Sequence, residues 1–238
     1  MNRSYLFVMF VFFFNLEAFA ANVQRPLTWG YVNFAPYHYS ENANVAGVIA
    51  QQVKLIFEDT KLTYSAVELP NKRAKLYITQ GRVDFSTVIE SFISTPDDFL
   101  KSNLPIYRIV LGAVCLNDSF DIQQLNDLKK LRLILLSGYT YGTKRQINEQ
   151  SGFNIELHAQ NHDSAIKALK YKRADCVLGY ESPTRVEQAK HPDLRLTFYK
   201  IDEFPVYLYL NKQVKNAPNI MDTINQHINR QITPPALL

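Results

Sequence analysis

The sequence predicts an α/β protein of two similar lobes joined by two crossing strands, and three observations lead there. The stretch "ITQGRVDFSTV" (78–88) is echoed by "LKYKRADCVLG" (169–179), so that Ile78 aligns with Leu169, Arg82 with Arg173 and Asp84 with Asp175, each 91 positions apart (173 − 82). Strand-like and helix-like patterns alternate in two matched series, the grammar of a parallel sheet covered by helices. Two apolar segments, near 105–112 and 203–210, fall where a chain passing between lobes would lie.

The first twenty residues stand apart. Arg3 supplies a positive start, "YLFVMFVFFFNL" is continuously apolar but for its Asn, and "AFA" (18–20) puts small residues at −3 and −1. This is the pattern of a secretory signal peptide cleaved after Ala20. The apolar run falls short of the roughly 20 residues that span a bilayer, although a retained N-terminal anchor is the competing reading. No Cys follows the small residues, so no lipid anchor is indicated. The expected mature chain is an exported, soluble protein of Gram-negative type, resident in the periplasm.

Each later element has its own signal. "PLTWGYVNF" reads as a strand and "APYHYSENAN" as turn material. In "VAGVIAQQVKLIFEDT", Val48, Ile49, Val53, Ile56 and Phe57 recur at helical spacing. "LTYSAVEL" alternates as a strand does. "NKRAKLYITQG" reads as a helix with Ala74, Tyr77 and Ile78 inward and Gly81 as its stop. "VDFSTVI" is a third strand, and "IYRIVLGAVCLN" a crossing one.

The grammar then restarts. "LRLILLS" is a strand and "GYTYGTKRQINEQSG" a turn plus helix ending at Gly152. "NIELHA" is a strand, "HDSAIKALKYKR" a helix capped by Asp163 or Ser164, and "ADCVLGY" another strand. "FPVYLYLNK" crosses back, and "APNIMDTINQHINRQI" is a final helix. In each half a helix is expected to carry Arg or Lys in its last turn, which would suit its negative end, and an Asp opens the strand that follows. The division expected is a signal peptide at 1–20, a first lobe of 21–108 with 204–238, and a second lobe of 109–203.

Composition narrows the function. The chain has 238 residues, 47% hydrophobic and 20% charged, with a net charge of +4 and no Lys/Arg run. Phosphate neutralisation needs a concentrated basic face, so no nucleic-acid partner is expected. Cys115 and Cys176, the two cysteines, both sit in apolar strand-like runs. An oxidising compartment permits a bridge, but buried free thiols acting as small hydrophobes are the favoured reading.

Taken in order, "FAPYHYS", Gly47 before the first helix, "KRAKLYITQGRVDFS", "STPDDFLKSNLPIY", "SGYTYG" and "RADCVLGYESP" resemble the family-3 extracellular solute-binding proteins of bacterial ABC importers, which bind polar amino acids. The resemblance runs from about Leu27 to Ile232. It implies a type II periplasmic-binding-protein fold, with two lobes closing on a ligand held in the cleft. It also implies a monomer that passes a small polar ligand, an amino acid or related amine or carboxylate compound, to an ABC permease. No cofactor and no metal are expected.

The resemblance also points to site residues. Phe34 stands where the family places an aromatic against the ligand; Phe34 and Tyr37 otherwise simply pack the lobe. Thr140 and Tyr141 open a second-lobe helix whose free N–H groups would suit an anion. The family's carboxylate-binding Arg is Asp98 here, in "TPDD", and its amine-binding Asp is Tyr180, with Glu181 beside it. A bidentate Arg is what makes such a pocket specific for carboxylates. Arg73 offers a substitute, or is a solvated helix residue. Glu90 and Glu181 together would favour an amine-bearing ligand. The expected binding set is Phe34, Tyr37, Arg73, Glu90, Thr140, Tyr141, Tyr180 and Glu181.

Two rival classes remain. A ligand-sensing subunit for a membrane receptor would carry the same features. A small dehydratase-like enzyme on the same fold has weaker support: the five histidines are scattered, the His158/His162 pair straddles a strand–helix junction, and "GYESP" is no nucleophile elbow. Asp97 and Asp98 read as surface acids. The chain is therefore expected to bind, not to catalyse.

Overall fold

The computed structural model of the chain describes residues 25–232 apart from 59, 61, 117–119, 138, 140 and 143–146. The signal-peptide expectation for 1–20, and Thr140, lie outside the described residues. Among the described residues no helix is long and apolar enough to cross a membrane.

The chain opens with β1 (Leu27–Tyr31), followed by a short hairpin of β2 (Tyr39–Glu41) and β3 (Asn44–Ala46) where the sequence reads only as a turn. Its turn residues Asn42 and Ala43 have φ of 50° and 63°, the paired left-handed geometry that matches strand twist. α1 (Val48–Glu58) buries Ile49, Val53, Ile56 and Phe57 from the expected stripe. β4 (Tyr64–Glu68), α2 (Asn71–Thr79) and β5 (Phe85–Ile89) follow. α2 buries Ala74 and Ile78 and stops where Gly81, just past the C-cap Gln80, takes φ of 67°, a conformation free of penalty only without a Cβ.

Next come β6 (Phe99–Lys101) and the crossing strand β7 (Tyr107–Cys115). The second series is β8 (Arg132–Leu136), β9 (Asn154–Ala159), α3 (His162–Lys170) and β10 (Cys176–Tyr180). α4 (Glu181–Gln188) continues directly from β10, β11 (Thr197–Asn211) runs back across, and α5 (Ala217–Ile232) closes the chain. Within the stretch expected as turn plus helix, the described parts are a turn at Tyr141–Gly142 and one 3-10 turn, Glu149–Ser151, stopping on Gly152.

Three expectations need correction. The cap of α3 is Asn161, not Asp163 or Ser164: its side chain accepts from the Ser164 N–H while the Ser164 hydroxyl bonds back to Asn161. Ser164 is thus the reciprocal member of a capping box. α4 is a helix the pattern did not reveal, because Pro183 falls in its first turn, where proline is tolerated. The cysteines are not free thiols. Cys176 lies opposite Cys115 in the antiparallel pairing of β10 with β7, and the two are bridged.

All the principal strands form one continuous, curled sheet in the order β4-β1-β5-β11-β7-β10-β8-β9, with β6 on the edge of β11. Its two halves repeat each other. β4, β1 and β5 are parallel, with β11 antiparallel beside β5; β9, β8 and β10 are parallel, with β7 antiparallel beside β10. β7 and β11 pair with each other between the halves, from Tyr107 opposite Val206 to Cys115 opposite Thr197, with a bulge between Lys200 and Asp202. The first lobe packs Trp29 and Phe85 against Phe57 and Val53 of α1, and the second packs Ile134 and Val177 against Ile166 and Leu169 of α3.

Candidate ligand-binding site

A cavity of about 220 Å³ lies where the halves face each other. Its walls come from the carboxyl end of β1 and the loop after it (Tyr31 to Phe34), the carboxyl half of β5 (Ser86 to Ile89), Ile109 and Val206 of the two crossing strands, and Tyr139 and Tyr180 from the second lobe. In α/β sheets, ligands sit beyond the carboxyl ends of the strands. The cavity obeys that rule in both lobes, through β1 and β5 on one side and β10 on the other.

The loop after β1 is tightly built. The Phe34 N–H donates to the His38 carbonyl, and the Tyr37 N–H to the Phe34 carbonyl; the Ala35–Pro36 peptide is cis. The first amides of α1, on Val48 and Ile49, donate to the Pro36 and Tyr37 carbonyls. Gly47, at φ 112°, passes so close that an added Cβ would stand 2.5 Å from the Tyr37 carbonyl oxygen. The start of α1 is therefore spent on holding the loop, not on a ligand anion.

Aromatic rings carry the loop across the cleft. Phe34 meets Tyr180 edge-on at 5.3 Å and Tyr139 at 5.6 Å between centroids, and Tyr139 lies 5.8 Å from Tyr180. Such tilted contacts are the preferred arrangement of rings. Tyr37 is buried beneath Phe34, with 4.8 Å between ring centroids. Ser91 donates to the Gly142 carbonyl at 3.3 Å. These contacts join one lobe to the other around the cavity.

The lining is electrically quiet. Among the described residues that form it, none is Lys, Arg, Asp or Glu. Burial lowers the pKa of His38, whose Nδ1 sits 2.7 Å from the Val32 carbonyl, so this imidazole is neutral. Burial, reinforced by Tyr37, pushes the Tyr139 phenol up to about 12. Tyr180 is raised further, by burial and then by its tyrosine neighbours. Ser86 spends its hydroxyl on the Gly30 carbonyl, whereas the buried Thr87 Oγ1 finds no protein partner.

Of the expected binding set, Phe34 and Tyr180 line the cavity together. Tyr37 lies directly behind Phe34. Tyr141 is buried at the edge of the aromatic cluster, and its hydroxyl is taken up by the Leu136 backbone, accepting from N–H at 2.5 Å. The three charged members stand apart from the cavity. Arg73 is exposed on α2, Glu90 is exposed and pairs with Lys101 at 3.3 Å, and Glu181 pairs with Arg185 at 2.6 Å along α4. Sequence reasoning missed His38, Thr87, Ile109 and Val206. Thr87 had a usable signal, since it stands in the carboxyl half of a predicted strand.

A second polar cluster lies behind Tyr139. His162, at the start of α3, meets the Tyr139 ring edge-on at 5.7 Å. His162 Nε2, Thr184 Oγ1, Glu187 Oε2 and His191 Nε2 are all buried without a hydrogen-bond partner. Burial brings the His162 pKa down to about 4, although Glu187 pulls the other way.

Neither a protein-family model nor a curated protein sequence matches the chain. Solved structures do. The arginine-bound form of ArgBP from T. maritima is similar at 18% identity and TM-score 0.61, over 86% of this chain and 95% of that one. The GluR0 ligand-binding core in complex with L-glutamate is similar at 16% identity and TM-score 0.65, over 87% and 91%. A histidine kinase sensor domain with similarity to periplasmic binding proteins reaches TM-score 0.66 at 14% identity, over 87% and 90%. At such identities the likeness speaks to fold alone: this is the two-lobe, type II periplasmic-binding-protein architecture.

Proposed function

We propose that the chain is an exported solute-binding protein that captures a small solute between its lobes and passes it to an ABC-type importer. The observation that carries this reading is the cavity of about 220 Å³ at the carboxyl ends of β1, β5 and β10, with Phe34, Tyr139 and Tyr180 from both lobes in its wall. A pocket shared by two lobes is the arrangement that hinge closure on a ligand requires. We take the lobes as 21–108 with 204–238 and 109–203, with β7 and β11 as the hinge. The signal-peptide pattern at 1–20 supports a periplasmic location. Neighbours that bind arginine or L-glutamate support capture of a solute with at least one polar group, and support binding over catalysis.

A second reading has an observation of its own. The likeness to a histidine kinase sensor domain supports a chain that reports its ligand to a membrane receptor. Both readings need a ligand, and one experiment tests that need. The secreted protein is screened by thermal shift against amino acids, amines, organic acids and neutral solutes, and each hit is followed by solution scattering. A ligand at a hundred times its Kd adds about 2.7 kcal/mol, and closure should reduce the radius of gyration. A screen with no hit in any class overturns the proposal. Co-purification with a permease or with a receptor separates import from sensing.

A further inference from the structure

We infer that Asn33 is the polar anchor of the first lobe, and that the solute it holds presents a hydrogen-bond donor beside an acceptor, as a carboxamide does. This rests on the solute-binding reading above and specifies the group by which its ligand is recognised.

The loop after β1 points to Asn33 through the fate of its backbone groups, each of which needs a destination. The Val32 carbonyl meets the His38 ring at 2.7 Å. The Phe34 N–H goes to the His38 carbonyl, and the Phe34 carbonyl accepts from Tyr37 and His38. The Pro36 and Tyr37 carbonyls accept the first amides of α1. Asn33 and Ala35 are the two residues between Val32 and His38 that make no such bond, and of the two only Asn33 lines the cavity. Among the described residues, neither its main chain nor its side-chain amide has a partner.

The other polar side chains on this wall are engaged or hidden. Ser86 donates to the Gly30 carbonyl at 2.7 Å, the Tyr31 hydroxyl lies 2.7 Å from that of Ser40, and His38 is held by Val32. The Thr87 hydroxyl is buried away from the space. Tyr139 and Tyr180 belong to the facing wall, in the second lobe. Asn33 is exposed and stands at the rim of the cavity. A solute that displaces water from such a group must reproduce its hydrogen bonds or lose affinity.

An Asn side chain offers an acceptor oxygen next to two N–H donors. Its complement is an edge with a donor next to an acceptor, the same match by which Asn reads adenine. A carboxylate answers only the donors, and an ammonium only the oxygen. At about 220 Å³ the cavity exceeds the roughly 150 Å³ apolar space known to accept benzene. One ring carrying such a group therefore fits, with its body against Val88, Ile109 and Val206.

The test uses three probes of similar shape: benzamide, with donor and acceptor; acetophenone, with the acceptor alone; and isopropylbenzene, with neither. Each is titrated at pH 7.5 into the full secreted protein and its Asn33→Leu and Asn33→Ala variants, by calorimetry and ligand-observed NMR. Asn33→Leu should weaken benzamide about tenfold and acetophenone less, and should leave isopropylbenzene as tightly bound or tighter. Asn33→Ala should give the same order of losses, which separates the lost amide from the added bulk of leucine. An equal loss for all three probes would make Asn33 a shaping residue only and overturn the inference. So would unchanged benzamide affinity in both variants, or a parent protein that does not bind benzamide. The solute-binding reading survives each of these results and falls only if the broad screen is also empty.

Discussion

Asp84 and Asp175 hold the same place in the two lobes. Asp84 accepts the Thr28 N–H at 2.7 Å at the start of β1 and takes the Arg25 guanidinium through both oxygens, at 2.6 and 2.7 Å. Asp175 accepts the Arg132 N–H at 2.8 Å at the start of β8 and takes that residue's guanidinium at 2.8 Å. Each also returns its own N–H, to the Thr28 and Arg132 carbonyls. The echo in the sequence is thus one device used twice: a carboxylate that staples the amino end of one parallel strand to the next.

The two staples should differ in strength. The Asp84 side chain is 10% exposed and that of Asp175 27%. Asp84→Ala strands a strand-opening N–H and should cost about 2 kcal/mol, with Asp175→Ala costing less, as read by urea denaturation. Burial works against ionisation at both sites, yet hydrogen bonds from Arg25 and Thr28, and from Arg132, hold both carboxyls below their usual range. Their contribution is therefore present above the unfolded-state value near 4 and disappears as pH falls through the folded-state values.

A separate loss of stability should occur at milder acidity. His162 is held neutral, with its pKa brought down to about 4 by burial. The unfolded chain takes up that proton near pH 6.5, so folding is favoured fully above this value and progressively less down to pH 4. The loss should reach about 3 kcal/mol by pH 4. A His162→Gln protein should show a flatter stability profile between pH 6.5 and 4; an unchanged profile would remove His162 as its cause.

The bridge between Cys115 and Cys176 closes a loop of 61 residues. On the chain-entropy account this stabilises by about 4 kcal/mol. Cys115→Ala/Cys176→Ala should lose a comparable amount in denaturant. Because neither sulfur is solvent-exposed, reductant should act only on the unfolded chain, giving a reduction rate that tracks the unfolding rate under mild conditions.

Lys172 offers an opposite effect. It stands 91 positions after Gly81 and ends α3 as Gly81 ends α2, with φ of 55° against 67°. A lysine in this conformation carries a penalty that glycine does not. Lys172→Gly should therefore stabilise by about 0.5 kcal/mol, the relief of strain exceeding the added freedom of the unfolded chain. A loss of stability would mean that the Lys172 side chain contributes packing.

Much of the fold could be read from pattern. The α1 stripe, the Gly81 stop and the two Asp-opened strands are local signals, and local signals survive into structure. The α4 helix and the β2–β3 hairpin escaped because each is short and begins with residues that also mark a chain break. The disulfide escaped for a different reason. Cys115 and Cys176 are neighbours only through the register of β7 on β10, and strand neighbours are not written in either strand. In the site, Phe34 and Tyr180 were marked by position in the chain. Arg73, Glu90 and Glu181 could not be placed by residue type: Arg73 is exposed on α2, and the two acids pair with Lys101 and Arg185. Thr87 could have been marked by its place in the carboxyl half of a predicted strand.

The route of the chain through the sheet also sets an order of assembly. β7, β8, β9 and β10 are consecutive, so the second lobe can gather most of its sheet as soon as Tyr180 has emerged. The first lobe cannot. β5 lacks its antiparallel neighbour until Val206–Leu210 arrive, and α5 must follow before Ile224 and Ile228 can join its interior. A chain delivered amino end first would thus finish its later half before its earlier one, leaving Phe85 and Trp29 incompletely covered for the longest time. A protective factor attending this protein during its synthesis or export would find its natural target there.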